Sequence, residues 1–61
     1  MASSMAKIWR NRIEAGDQEF ANCPDRYKND VIYLMSKDVE NGVITAEQFE
    51  ELTGQPYVPV N

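Results

Sequence analysis

Hydrophobic residues recur at three- and four-residue spacing in three stretches of the chain, which is the period of an amphipathic helix. The first stretch runs from Met5 to Ala15. Ser3 or Ser4 is its predicted N-cap, and Gly16 ends it. Its predicted apolar stripe consists of Met5, Ile8, Trp9 and Ile13.

The second predicted helix runs from Pro24 to Glu40. Pro24 suits the first helical position because its missing N–H would have no partner there. Asp25 adds a negative charge where the helix dipole favours one. The apolar positions, which occupy more than one side of this helix, are Tyr27, Val31, Ile32, Leu34, Met35 and Val39. Such a helix is expected to contact two neighbours, either both within the chain or one of them a partner.

A capping box and a hydrophobic staple mark the start of the third predicted helix. Thr45 lies three residues before Gln48, so the hydroxyl and the amide can each satisfy a backbone N–H group. Ile44 and Phe49 occupy the two positions of the staple, which fixes the direction in which the chain enters the helix. Gly54 follows as a left-handed terminator, so the helix is predicted to span residues 45–53.

The segments outside the helices also carry signals. Residues 17–23 form a predicted loop, in which Phe20 returns to the core. The short link 41–44 predicts a helical hairpin between the second and third helices. After Gly54, two prolines exclude a helix and favour an extended tail.

These elements predict an all-α fold: a small three-helix domain with a C-terminal helical hairpin and an extended Pro-containing tail. Residues 1–4 are predicted to be a flexible start or a cloning remnant, residues 5–54 the single domain, and residues 55–61 the tail. The predicted core consists of Trp9, Ile13, Phe20, Tyr27, Val31, Leu34, Met35, Val39, Ile44, Phe49 and Leu52.

A chain of 61 residues is short for a domain that must be stable alone. It buries only ~60% of the surface that its unfolded form exposes, and small folds usually compensate with disulfides, a metal or a partner. Cys23 is the only cysteine and there is no histidine, so an internal disulfide and the usual zinc ligands are excluded. Burial against a protein partner, or self-association, is the route that remains.

The charge of the chain bears on its partners. The net charge is −4, whereas a surface that binds nucleic acid is normally basic. Positive charges lie in the first helix and negative charges in the last third: Lys7, Arg10 and Arg12 against Asp38, Glu40, Glu47, Glu50 and Glu51. No apolar run approaches the ~20 residues of a membrane span. We therefore expect no nucleic acid and no membrane among its partners.

No motif predicts a catalytic, cofactor-binding or metal site. The turn at Gly42 resembles part of an EF-hand loop, but Lys37, Val39 and Gln48 would occupy ligand positions that they cannot serve. Cys23 has no histidine to act as its base, and is interpreted as a small, partly buried hydrophobe. The glutamates of the third helix are interpreted as a solvated face, and they also argue against a helix-turn-helix recognition helix.

Trp9, flanked by basic residues, could in principle stack on a base. Its alignment with Met5 and Ile13 instead predicts a place in the core or in an interface. The candidate protein interface combines residues of the second helix and the tail that one hairpin cannot all cover: Tyr27, Ile32, Met35, Tyr57, Val58 and Val60.

The last third of the chain resembles a known family. The run Asp38-Val-Glu-Asn-Gly-Val-Ile-Thr-Ala-Glu-Gln-Phe-Glu-Glu-Leu-Thr-Gly54, followed by Pro56 and Tyr57, is similar to the C-terminal signature of XkdX-like proteins. The run from Lys7 to Gly16, a predicted helix that contains an aromatic residue and ends at glycine, resembles the same family more weakly. XkdX-like proteins are very small and are encoded among the tail and baseplate genes of phages and prophages of Gram-positive bacteria.

The resemblance implies an origin in a phage tail region, with a place in the bacterial host cytoplasm during phage expression or in the virion tail. The family has no established activity, so no functional residues are carried over. The expected function is that of a non-enzymatic structural or accessory protein that works through protein–protein contacts. The alternative is a small acidic phage-encoded regulator or inhibitor that binds a host protein.

Overall fold

The computed structural model describes residues 4–59, and its secondary structure is helical. Helix α1 spans Ser4–Ala15, a 3₁₀ turn spans Phe20–Asn22, α2 spans Asp25–Glu40, and α3 spans Ala46–Thr53. No strand occurs within residues 4–59. The all-α, three-helix prediction is confirmed.

The helix boundaries differ from the predicted ones by a residue. Helix α1 already includes Ser4, which was assigned to a flexible start, and Ser3 lies outside the described residues. Pro24 has φ −57° and ψ 142°, so it is the residue before α2 and not its first helical residue. The extended ψ is the usual conformation of a residue that enters a helix.

The start and end of α3 form as the sequence predicts. The Thr45 backbone N–H donates to Gln48 Oε1 at 2.8 Å, and the Gln48 N–H donates to Thr45 Oγ1 at 3.0 Å. These are the two reciprocal bonds of a capping box. At the other end Gly54 has φ 69°, and its N–H donates to the Glu50 carbonyl at 2.9 Å. The left-handed conformation favours glycine there.

The turn between α2 and α3 closes with a pair of backbone bonds. The Gly42 N–H donates to the Val39 carbonyl at 3.1 Å, and the Val43 N–H donates to the Asp38 carbonyl at 2.8 Å. Gly42 has φ 77°, as this helix-ending motif requires. The bonds end α2 and return the chain, so that α3 packs against α2.

Helices α1 and α3 both pack against α2. The buried apolar side chains are Ala6, Ile13, Phe20, Cys23, Val31, Met35 and Phe49. All eleven residues of the predicted core are either among these or packed against them. The two neighbours predicted for α2 are therefore elements of the same chain.

Only half of the apolar stripe predicted for α1 faces the core. Ile13 is fully buried and Trp9 packs against the core, but Met5 and Ile8 are each 44% exposed. Ala6 takes the buried position one turn before Trp9 and Arg10. A small residue at such a position allows two helices to approach closely.

The tail folds back onto α3. The Tyr57 ring meets Phe49 edge-on, with 5.5 Å between the ring centroids, and the Tyr57 N–H donates to Glu50 Oε2 at 3.1 Å. Residues 56–59 form neither helix nor strand, in agreement with the prolines. The aromatic contact extends the core beyond the last helix.

Phe49→Ala should lower the free energy of unfolding by about 3–5 kcal/mol, because it removes a fully buried ring. Urea unfolding followed by circular dichroism measures the effect. The control is Val43→Ala, since Val43 is 62% exposed and its truncation should change stability by less than about 0.5 kcal/mol. Equal unfolding midpoints for Phe49→Ala and the wild type would contradict this account of the core.

Thr45→Ala should cost about 0.5–2 kcal/mol, because the Gln48 N–H loses its acceptor. Thr45→Ser is the matched control, since it retains the hydroxyl and should keep most of the stability. The same unfolding experiment compares the three proteins. If Ser and Ala substitutions were equally destabilising, the hydroxyl would not be the group that stabilises this helix end.

Candidate functional site

The candidate interface on α2 is largely occupied by the protein's own core. Met35 is fully buried, which removes it from the interface predicted for it. Tyr27 and Ile32 are partly buried and pack against the core. The physical reason is that α1 and α3 both pack against α2 and use its apolar positions for the core.

The tail contributes less to the candidate interface than predicted. Tyr57 is partly buried through its contact with Phe49. Val58 is 68% exposed and stays available to a partner. Val60 lies outside the described residues.

The outer face of α1 is a candidate surface that the sequence analysis missed. Met5 and Ile8 are neighbours at i and i+3 on this face, and both are substantially exposed. The exposed side chains of Lys7 and Arg12 belong to the same helix. The helical period fits the predicted stripe and equally a stripe of Ala6, Trp9 and Ile13, so the sequence carried no signal that decides between them.

A polar cluster joins α1 to α2, and the sequence analysis did not predict it. We use the term carboxyl cluster for Arg10, Glu14 and Asp38. Arg10 Nη1 donates to Asp38 Oδ2 at 3.1 Å and to Oδ1 at 3.2 Å. Asp38 is buried although it is charged, so the guanidinium supplies the counter-charge that burial requires.

Glu14 is the second acid of the carboxyl cluster. Burial, a hydrogen bond to Asp38 and the negative charge of Asp38 raise the pKa of Glu14 from 4.5 to about 7, against a smaller opposing effect of Arg10. No donor among residues 4–59 reaches the buried Glu14 Oε2. An ionised Glu14 therefore leaves this oxygen unsatisfied, whereas a protonated Glu14 can donate to Asp38.

The sequence did not predict the carboxyl cluster, because Arg10 and Asp38 lie 28 positions apart in the chain. Arg10 and Glu14, four residues apart on one helix, have the spacing of an ordinary surface pair. The sequence places Asp38 only among the negative charges of the last third of the chain. The arrangement can hold a proton between two helices.

A shallow groove of about 570 Å³ lies between the end of α1, the 3₁₀ turn and the end of α3. Its charged lining residues include Lys28 and Glu51, and none of the carboxyl cluster lines it. Lys28 Nζ pairs with Asp25 at 3.1 Å and lies 5.4 Å from the centre of the Phe20 ring. The carboxyl cluster and the groove are thus separate features of the molecule.

Cys23 is buried more completely than the sequence predicted. Burial is the main cause that raises the pKa of its thiol, with a smaller contribution from Asp25 and an opposing one from Lys28. Its Sγ lies 3.6 Å from the Pro24 carbonyl. A neutral, buried thiol is a poor nucleophile and packs as a small hydrophobe.

The turn that resembles an EF-hand loop has its side chains engaged elsewhere. Gln48 Oε1 accepts from Thr45, and Lys37 Nζ lies 3.9 Å from Glu40 Oε2. Within the described part of the chain, no group of His, Cys, Asp and Glu side chains is arranged to hold a metal ion. None of the helices in residues 4–59 is long and apolar enough to cross a membrane.

The acidic residues of α3 share its outer face. Glu47, Glu50 and Glu51 are all exposed, whereas Phe49 and Thr53 on the opposite side are buried. This agrees with the solvated face predicted for them.

Calcium should leave the amide spectrum of the protein unchanged, because Lys37 and Val39 offer no ligand and Gln48 caps α3. A calcium titration followed by amide chemical shifts tests this, with magnesium as the control for ionic strength. A saturable shift confined to residues 37–48 at micromolar calcium would contradict the prediction.

Comparisons with protein-family models, with curated proteins and with solved structures found no match to this chain. The resemblance of residues 38–57 to XkdX-like proteins stays a prediction.

Proposed function

We propose that the chain is a small non-enzymatic structural or accessory protein of a phage or prophage tail or baseplate region, acting through protein–protein contacts. The observation that carries the contact role is the exposure of Met5 and Ile8 on the outer face of α1. The resemblance of the C-terminal third to XkdX-like proteins supports the place of action.

The outer face of α1 has the composition of a protein-binding surface. Two large apolar side chains lie side by side, and the same helix carries the exposed charges of Lys7 and Arg12. An apolar centre with a polar rim is the usual anatomy of an interface. Covering the exposed half of each apolar side chain would contribute roughly 1 kcal/mol. Further contact area has to come from outside these two residues, for which Val58 is a candidate.

The interior supports a non-enzymatic role. The carboxyl cluster lies in the contact between α1 and α2, away from the groove. The thiol of Cys23 is buried, and burial raises its pKa. Glu14 and Cys23, whose pKa values are raised, therefore lie where they affect the fold and not where they would contact a substrate.

The alternative function is a small acidic regulator or inhibitor of a host protein. The observation that favours it is the exposed face of α3, with Glu47, Glu50 and Glu51 on one side of a short helix. Such a face complements a basic protein surface and would speed the encounter with it.

The location of the gene separates these two functions. Tail genes upstream and lysis genes downstream would support the structural role, and deletion of the gene should then give particles with missing or misassembled tails in electron micrographs. Intact, infectious particles from the deletion strain would contradict the structural role and favour the regulator.

Ile8→Asp should weaken self-association, or binding to a co-expressed tail protein, while leaving the helical content intact, because Ile8 is exposed on α1. Light scattering over a wide concentration range and co-purification measure the two kinds of contact. Val43→Asp is the matched control, since it adds the same charge at an exposed apolar residue in the α2–α3 turn.

Equal effects of Ile8→Asp and Val43→Asp would show that charge alone disturbs the contact and that the α1 face is not specific. A wild-type protein that stays monomeric at high concentration and binds none of the tail proteins would contradict the contact role itself.

A further inference from the structure

Helix α1 packs mainly against α2, and its buried residues are Ala6 and Ile13. The polar part of this contact is the carboxyl cluster, in which Arg10 binds Asp38 and the buried Oε2 atom of Glu14 has no donor in reach among the described residues. A change of charge in this cluster therefore acts directly on the contact between the two helices.

We propose that the carboxyl cluster is a proton-dependent switch between α1 and α2, which holds the two helices together while Glu14 is protonated and loosens the contact when Glu14 ionises. The inference is independent of the proposed function, because it follows from the groups within this contact alone.

The charge balance of the carboxyl cluster gives the first argument. With Glu14 protonated, the positive charge of Arg10 offsets the negative charge of Asp38, and the cluster is neutral. With Glu14 ionised, one guanidinium faces two carboxylates, and a net negative charge is buried between the helices. Burial without a full counter-charge is costly because the interior solvates ions poorly.

Hydrogen bonding gives the second argument. A protonated carboxyl group of Glu14 can donate to the Asp38 carboxylate, whose proximity helps to raise the pKa of Glu14, and this donation links α1 to α2. Ionisation removes this donor and leaves Glu14 Oε2 buried with no donor in reach among the described residues. Both effects favour the protonated form in the folded state and work in the same direction.

The surroundings of Glu14 contain few other charges. Arg10 is the charged group of α1 that acts on it, and Asp38 is the charged group of α2. The acids of α3 are exposed on its outer face, and no charged group of α3 or of the 3₁₀ turn acts on Glu14 within residues 4–59. The switch is thus a property of these three side chains.

The direction of the pH effect follows from the pKa. The pKa of Glu14 rises from an ordinary 4.5 to about 7 in the folded protein. The folded state therefore binds more protons than the unfolded state between these values, and stability falls as pH rises through this range. The contribution of Glu14 is complete at acid pH and is lost above neutral pH. For most paired carboxylates the folded state lowers the pKa, so that stability rises with pH.

The test compares the wild type with Glu14→Gln, an uncharged variant close in shape to protonated Glu14. Between about pH 5 and pH 8 the unfolding equilibrium constant of the wild type should rise by about tenfold or more, whereas that of Glu14→Gln should stay nearly constant. Glu51→Gln makes the same charge change at an exposed site and should follow the wild type. Urea unfolding at each pH gives the constants.

Identical pH profiles for the wild type and Glu14→Gln would overturn the proposal. If Glu14→Gln does not fold, a second measurement, made on the wild type, tests the proposal. The side-chain carboxyl carbon of Glu14 should titrate near neutral pH, and amide protection in α1, corrected for the intrinsic exchange rate, should fall over the same range. Titration of Glu14 at the ordinary pKa of a glutamate, or unchanged protection of α1, would overturn the proposal as well.

Discussion

The packing of α1 and α3 against α2 is the contact on which the rest of this structure depends. The chain has one cysteine and no histidine, so the three short helices are held without a disulfide or a histidine-bound metal. Val31 and Met35 in the middle of α2 are fully buried in the shared core. A core this small leaves little apolar area to spare, so each large buried side chain carries a substantial share of the stability.

Asp38 connects this packing to the chemistry of the molecule. It lies seven residues after Val31, on the same inward face of α2, and is therefore buried although it is charged. Its side chain binds Arg10 of α1, and its backbone carbonyl accepts from Val43 in the turn to α3. One residue thus links α2 to α1 and also takes part in ending α2. Burial of Glu14 is the main cause that raises its pKa, and the neighbouring Asp38 raises the pKa further.

The surface and the interior have different roles in the proposed function. The outer face of α1 presents Met5 and Ile8 to partners, whereas the inner face of the same helix carries Arg10 and Glu14. A contact made by α1 requires α1 to be folded, because helices this short are marginal without tertiary packing. A proton-dependent attachment of α1 would therefore also make the outer face dependent on pH.

The sequence by itself determined the helices and their ends, because the signals act within one turn of the backbone. The capping box of Thr45 and Gln48 and the glycine after Thr53 are examples, and no distant residue is needed to form them. Periodicity also identified the core residues of α2 and α3. It could not decide which of two overlapping stripes of α1 is buried, because that depends on the small size of Ala6 against α2. The carboxyl cluster was decided only by the tertiary structure. Its charges lie on different helices. Burial raises the pKa of Glu14, and the residues next to Glu14 in the sequence do not determine how deeply it is buried.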